Sequence, residues 1–186
     1  MPFRVKNFHE HVIRLVKGRV RERLMDACGG YDGLSGQGQR TVAIRNMMEV
    51  LDRNVALRTR KELMESCGRQ CIGSSILKKA LRLTAQAHDL DELLVRLNEA
   101  NIGGGNLRRE GDIIYAEYYR CYCGSVSRTR LRFSPTYCYC SCGWYRQLFE
   151  TVLKKPVRVE LLESIIQGDS RCWFKIYVSV KRSPRE

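Results

Sequence analysis

Apolar residues recur along the first hundred positions at the three- and four-residue spacing of one helix face. Phe8, Val12, Leu15, Val16, Val20 and Leu24 predict helix over residues 3–28, and Cys28-Gly29-Gly30 is a stop signal. The five glycines between Gly29 and Gly38 predict a flexible loop; it lacks the Lys-Ser/Thr ending that a phosphate-cradling loop needs. Thr41 is placed to cap a second helix carrying Ile44, Met47, Met48, Leu51 and Val55, which continues or restarts through Lys61 to Ser66 and stops at Gly68. Ser74 or Ser75 opens another helix to about Ala87. Asp89, with Glu92 three residues on, forms a capping-box start for Leu90, Leu93, Leu94 and Leu97. Gly103-Gly104-Gly105 closes this helical half.

From Asp112 the period changes to two. Residues 112–123, 126–133, 157–166 and 172–180 read as strands, and Trp144, Leu148, Phe149 and Val152 place a helix between them. The expected fold is therefore α+β, a helical region over 1–111 followed by an antiparallel sheet with one packed helix over 112–186. The apolar stripes of the first region need burial, so both parts are expected to form one functional unit.

At 186 residues the chain can bury a core without covalent staples. The start of the chain does not read as a secretory leader, and no apolar run reaches membrane-spanning length, so a cytoplasmic protein with no membrane partner is expected. Net charge is +13, concentrated in residues 1–60 and 111–186. That favours encounter with polyanions, but a nucleic-acid partner would rest on charge alone.

Nine cysteines change the picture. In a reducing compartment an odd count points to metal binding or thiol chemistry rather than a disulfide framework. Cys67-x-x-x-Cys71 has a spacer within the range of zinc chelation, although two buried apolar thiols would read the same way. Cys121-x-Cys123 and Cys138-x-Cys140-x-Cys142 are tighter. Residues two apart in a strand stand about 6.6 Å from each other, whereas sulfurs on one tetrahedral zinc are about 3.8 Å apart, so partners from another segment are expected.

Cys67, Cys71, Cys121, Cys123, Cys138 and Cys140 are thus the leading metal candidates, with zinc the first choice and an iron–sulfur cluster the second. Arg69 and Arg120 stand where they would help ionise the thiols. Cys172 shares a strand face with Phe174, Ile176 and Val178 and reads first as core. Glu163 interrupts the apolar stripe Val157, Val159, Leu161, Ile165 and must find a cation, a metal, a proton or solvent. Arg128, Arg130 and Arg132 would form a basic ridge along one strand. Tyr115, Tyr118, Tyr119, Tyr122, Tyr137 and Tyr139 are candidates to line a ligand pocket.

The stretch from Gly143 to Val180, ending in Gly168-Asp169-Ser-Arg-Cys172-Trp-Phe174, resembles the 4-vinyl-reductase domain and the L-2-amino-thiazoline-4-carboxylic acid hydrolase family. Together with Cys67-Gly-Arg-Gln-Cys71, Cys121-Tyr-Cys123-Gly124 and Tyr137-Cys138-Tyr-Cys140-Ser141, it resembles an uncharacterised prokaryotic family related to both. The resemblance implies a sensor-like fold with a ligand pocket between helix and sheet. In zinc-bearing phenol-sensing relatives the ligands are a cysteine before the helix, a glutamate-x-x-cysteine pattern and a tail cysteine. Here Cys172 matches the tail, and Cys138, Cys140 or Cys142 the leading position. Aligned on Gly168-Asp169, the glutamate-x-x-cysteine positions fall on Leu161 and Ser164, leaving Glu163 as a neighbouring substitute. The expected function is a zinc- and small-molecule-binding, sensor-like protein. A metal- or thiol-dependent hydrolase is the alternative, and self-association into a homo-oligomer is left open.

Overall fold

The computed structural model describes residues 4–124, 126–127 and 133–179. Their architecture is α+β, with seven α-helices and one four-stranded antiparallel sheet among the described residues. The helices are α1 (Val5–Leu15), α2 (Gly18–Cys28), α3 (Gln37–Asn54), α4 (Leu57–Cys71), α5 (Ser74–Gln86), α6 (Leu90–Glu99) and α7 (Tyr139–Leu153). The strands are β1 (Leu107–Glu110), β2 (Ile113–Tyr118), β3 (Arg158–Glu163) and β4 (Cys172–Tyr177).

Several helix limits differ from the periodicity. The expected helix over 3–28 breaks where Val16 and Lys17 are extended and Gly18 takes φ 62°, so α1 and α2 fold back on each other. Thr41 is not a cap: α3 begins at Gln37, and the Thr41 hydroxyl donates to the Gln37 carbonyl 2.9 Å away inside the helix. Gly68 does not end its helix but lies within α4. At Asp89 the expected cap forms: its carboxylate accepts from Glu92 N at 2.8 Å, while the Glu92 carboxylate reaches one residue past the cap and accepts from His88 N at 2.8 Å.

The sheet has strand order β1-β2-β4-β3. Its first hairpin lies earlier than the alternation suggested, because β1, with register Leu107↔Ala116 to Glu110↔Ile113, precedes Asp112. Leu-Arg-Arg-Glu has a single apolar position, so only pairing with β2 makes it a strand. The expected strand over 126–133 falls largely on residues 128–132, outside the described residues, as do Arg128, Arg130 and Arg132; Val126 and Ser127 lie in a turn. β3 stops at Glu163 after a register shift between Leu161 and Glu163, and a 3-10 turn (Ile165–Gln167) replaces its expected end.

Two apolar clusters organise the molecule. A sheet cluster joins α5, α6 and α7 to the inner sheet face through Leu93, Leu97, Ile114, Leu148, Phe149, Phe174 and Ile176. A helical cluster joins α1 to α4 through Phe8, Val12, Ile44, Met47, Met48, Leu51 and Met64. Sheet residues therefore begin before the 111/112 boundary, and α5 and α6 pack with the sheet.

The clusters meet where α4 crosses α7 at backbone contact. A Cβ on Gly68 would lie 1.8 Å from the Cys140 carbonyl oxygen, and one on Gly143 would lie 1.9 Å from that of Glu65. Ion pairs Arg146–Glu65 (2.7 Å) and Arg69–Glu150 (2.8 Å) flank the crossing. Among the described residues no helix is long and apolar enough to cross a membrane.

Candidate functional site

Beside that crossing lies a cavity of about 310 Å³. Four separate segments bring thiols to its wall: Cys67 and Cys71 from the last turns of α4, Cys121 and Cys123 from the chain after β2, Cys138 and Cys140 from the start of α7, and Cys172 from β4. The six leading candidates read from the sequence therefore share one cavity, joined by Cys172. Because α4 is regular through Gly68, Cys67 and Cys71 stand four residues apart on one helix face. Gly68 between them lets the backbone of α7 approach.

The segment before α7 is anchored from two sides. Its 3-10 turn (Pro135–Cys138) has the Thr136 hydroxyl donating to Asp52 Oδ1 at 2.6 Å, and Arg60 of α4 pairs with the same carboxylate. The Tyr137 hydroxyl and Cys123 sulfur are hydrogen-bonded at 2.7 Å, and Cys138 Sγ and Ser164 Oγ at 2.8 Å. Ser164 is fully buried, and its backbone N–H donates to Asp169 Oδ2 at 2.7 Å. The Gly168-Asp169 signature thus closes the turn that presents Ser164 to Cys138.

The remaining candidates differ in their places. Cys142 is buried in the sheet cluster, one helix face away from the cavity. Cys172 belongs to that cluster as well as to the cavity wall. Glu163 does not line the cavity: it finds its cation in Arg171, which donates to both carboxylate oxygens (2.8 and 3.1 Å) and holds the carboxyl below its ordinary range. Arg171 also pairs with Glu117 across the sheet. Arg69 is engaged with Glu150 and Gln147, and Arg120 stacks over Tyr122; neither lines the cavity. Cys28 is buried in the helical cluster.

Of the six tyrosines, Tyr118, Tyr122 and Tyr137 line the cavity. Tyr115 stacks on Trp173 on the outer sheet face, Tyr119 is exposed, and Tyr139 packs between the clusters under Lys61. The pattern missed Tyr145, Ile76 and Arg4 on the wall, and took Trp144 only as part of a helix stripe. Tyr145 is held by its hydroxyl donating to the Gly103 carbonyl at 2.9 Å. The left-handed glycines at 103 and 104 thus form part of the wall rather than only a terminator.

Burial dominates the electrostatics. It pushes the Cys121 thiol up to about 11 and raises Cys67, Cys71, Cys138, Cys140 and Cys172 as well. Cys140 is raised further by its neighbours Cys123, Cys138, Cys71 and Cys67, in that order after burial. Near neutral pH these are protonated thiols in apolar surroundings. Among the described residues no three His, Cys, Asp or Glu side chains are arranged to hold a single metal ion.

A family profile matches residues 5–182. The chain belongs to the family of unknown function DUF6144. All nine cysteines and the whole cavity wall except Arg4 lie within the matched span, so the site is built inside the DUF6144 region and not on an appendage. No curated protein matches the chain.

Proposed function

We propose that this DUF6144 protein binds a soft metal centre through cysteine thiolates at one end of the cavity and a small apolar molecule at the other, acting as a sensor-like binder. The observation that carries the reading is the assembly of six thiols, from three regions remote in sequence, on one cavity wall. Burial without a cation disfavours the thiolate form of Cys67, Cys71, Cys121, Cys138 and Cys140. A metal cation is the partner that would let them ionise, and binding it would release their protons. Trp144, Tyr145, Tyr118 and Ile76 make the remaining wall aromatic and apolar, as suits a small ligand. The likeness of Gly143 to Val180 to 4-vinyl-reductase domains, whose pocket lies between helix and sheet, supports the same reading.

The zinc expected from the sequence fits the donors in chemistry but not in placement, since no three converge on one point among the described residues. No step is therefore assigned to zinc. A thiol-dependent hydrolase would need an ionised nucleophile or a neighbouring base. None of the three histidines lines the cavity, and burial raises the thiols, so binding is favoured over turnover.

Metal analysis of protein purified without oxygen tests the proposal, together with counting of reactive thiols before and after chelation. Bound metal, with cavity thiols reacting only after chelation, is the expected result. Metal-free protein with thiols equally reactive in both states would end it.

A further inference from the structure

We infer that the thiol end of the cavity is shaped for an iron–sulfur cluster rather than a single ion, with Cys67, Cys71, Cys123 and Cys140 as its ligands; this rests on the reading of the cavity as a thiolate metal site.

The first ground is the shape of the site. Sulfurs around one tetrahedral ion sit about 3.8 Å apart and enclose no free volume. Here the sulfurs stand on the wall of a void of about 310 Å³. A cluster places several irons and inorganic sulfides between its cysteines, so its ligands belong on the wall of such a space. Cys67 and Cys71, which either kind of centre accepts, leave the same face of α4. Helix neighbours four apart have Cβ atoms about 5–6 Å from each other, a spacing set by a rigid backbone.

The second ground is how the four are brought together. Gly68, between the two α4 cysteines, allows the Cys140 backbone into contact, which sets the first turn of α7 flush against the last turns of α4. Cys123 is fixed by its hydrogen bond to Tyr137, in the turn leading into α7. Cys67 belongs to the helical cluster, and Cys123 and Cys140 pack against it. Of the other thiols, Cys121 lines the cavity and packs against the helical cluster two residues before Cys123, Cys138 lines it with its sulfur bonded to Ser164, Cys142 and Cys172 pack in the sheet cluster, and Cys28 is away from the cavity.

The third ground is chemistry. No His, Asp or Glu lines the cavity among the described residues, leaving an all-sulfur donor set, the set that clusters take. Arg4 is the one charged residue on the described wall, and its sign opposes that of a thiolate-ligated cluster.

The test is reconstitution of the full chain without oxygen, with ferrous iron and sulfide in one arm and zinc in the other. The readouts are metal and acid-labile sulfide content and the visible spectrum. Iron and sulfide bound in equal amounts, with broad visible absorption bleached by a reductant, is expected. One tightly held zinc with no iron–sulfide uptake would overturn the cluster while leaving the thiolate-site reading intact; uptake of neither would sink both. Cys71→Ser and Cys140→Ser should each reduce bound iron at least about tenfold. Cys142→Ala, off the cavity wall, should change it less than about twofold. Cys123→Ser lies outside helices and strands and so tests ligation where a helix variant fails to fold; undiminished iron in that variant would remove Cys123 from the assignment.

Discussion

The sheet cluster and the helical cluster both contain buried cysteines, yet they use them differently. In the sheet cluster Cys142 fills space beside Leu148, Phe149 and other apolar side chains, as a small apolar residue would. Around the helical cluster Cys67, Cys121, Cys123 and Cys140 gather where the packing stops short and leaves a cavity. The same side chain is filler where a core is complete and a candidate ligand where a core is interrupted. Its surroundings, not its burial, separate the two roles.

The strongest challenge to this comparison is truncation of the sheet cluster itself. Phe174 is fully buried, with its ring centroid 4.9 Å from that of Tyr145 and 5.8 Å from that of Tyr118. Phe174→Ala should cost about 3–5 kcal/mol. In urea unfolding, helical and aromatic signals should fall together, because α4 and α7 lock the clusters to each other. Two separated transitions would show that the clusters are independent units.

A substitution at the seam comes next. Gly68→Ala would put a Cβ against backbone that cannot rotate away, and overpacking of this kind costs about 1–3 kcal/mol or more. We expect the upper end, read as a lower denaturation midpoint. Gly38, in the first turn of α3 with nothing within 4 Å of its would-be Cβ, is the control; Gly38→Ala should be neutral or stabilising by up to about 1 kcal/mol.

Paired thiol removals test the difference in use directly. In metal-free protein Cys142→Ala and Cys67→Ala should each cost on the order of 1 kcal/mol, the worth of a small apolar group. After metal loading the Cys67 variant should fall further behind the parent while the Cys142 variant keeps its distance. Equal responses would mean that Cys67 is filler too.

The smallest effect is pH-dependent. An unfolded thiol titrates near 9.0, whereas burial raises Cys121 to about 11 and Cys28 to about 12 in the folded chain. Above pH 9 the unfolded state therefore holds fewer protons than the folded state, and stability falls as pH rises. Melting temperature of the metal-free protein should be level with respect to these thiols below about pH 8 and decline from pH 9 through 11 to 12. Cys28→Ala should make that decline shallower. A rise over this range would contradict buried, protonated thiols.

Local physics alone determined much of what was legible in the sequence. The three-and-four spacing of Leu90, Leu93, Leu94 and Leu97, with the cap at Asp89, specifies α6 because cap and stripe lie within one short segment. Alternation at Cys172, Phe174 and Ile176 specifies the buried face of β4, because a strand's period fixes which side chains share a face. The clustering of cysteines along the chain marked the residues that now line the cavity. Contacts between distant segments determined the rest. β1 is a strand because β2 pairs with it, and Thr41 bonds back into α3 instead of capping it. Gly68 sits inside a helix because Cys140 comes from seventy residues away to occupy the space its missing side chain leaves. Likewise Glu163 looked available until Arg171 reached it, and the thiols' shared cavity exists only where α4 crosses α7. Sequence carries the propensities and the chemistry of each segment; the void between segments is a property of their packing, and only the tertiary structure could decide it.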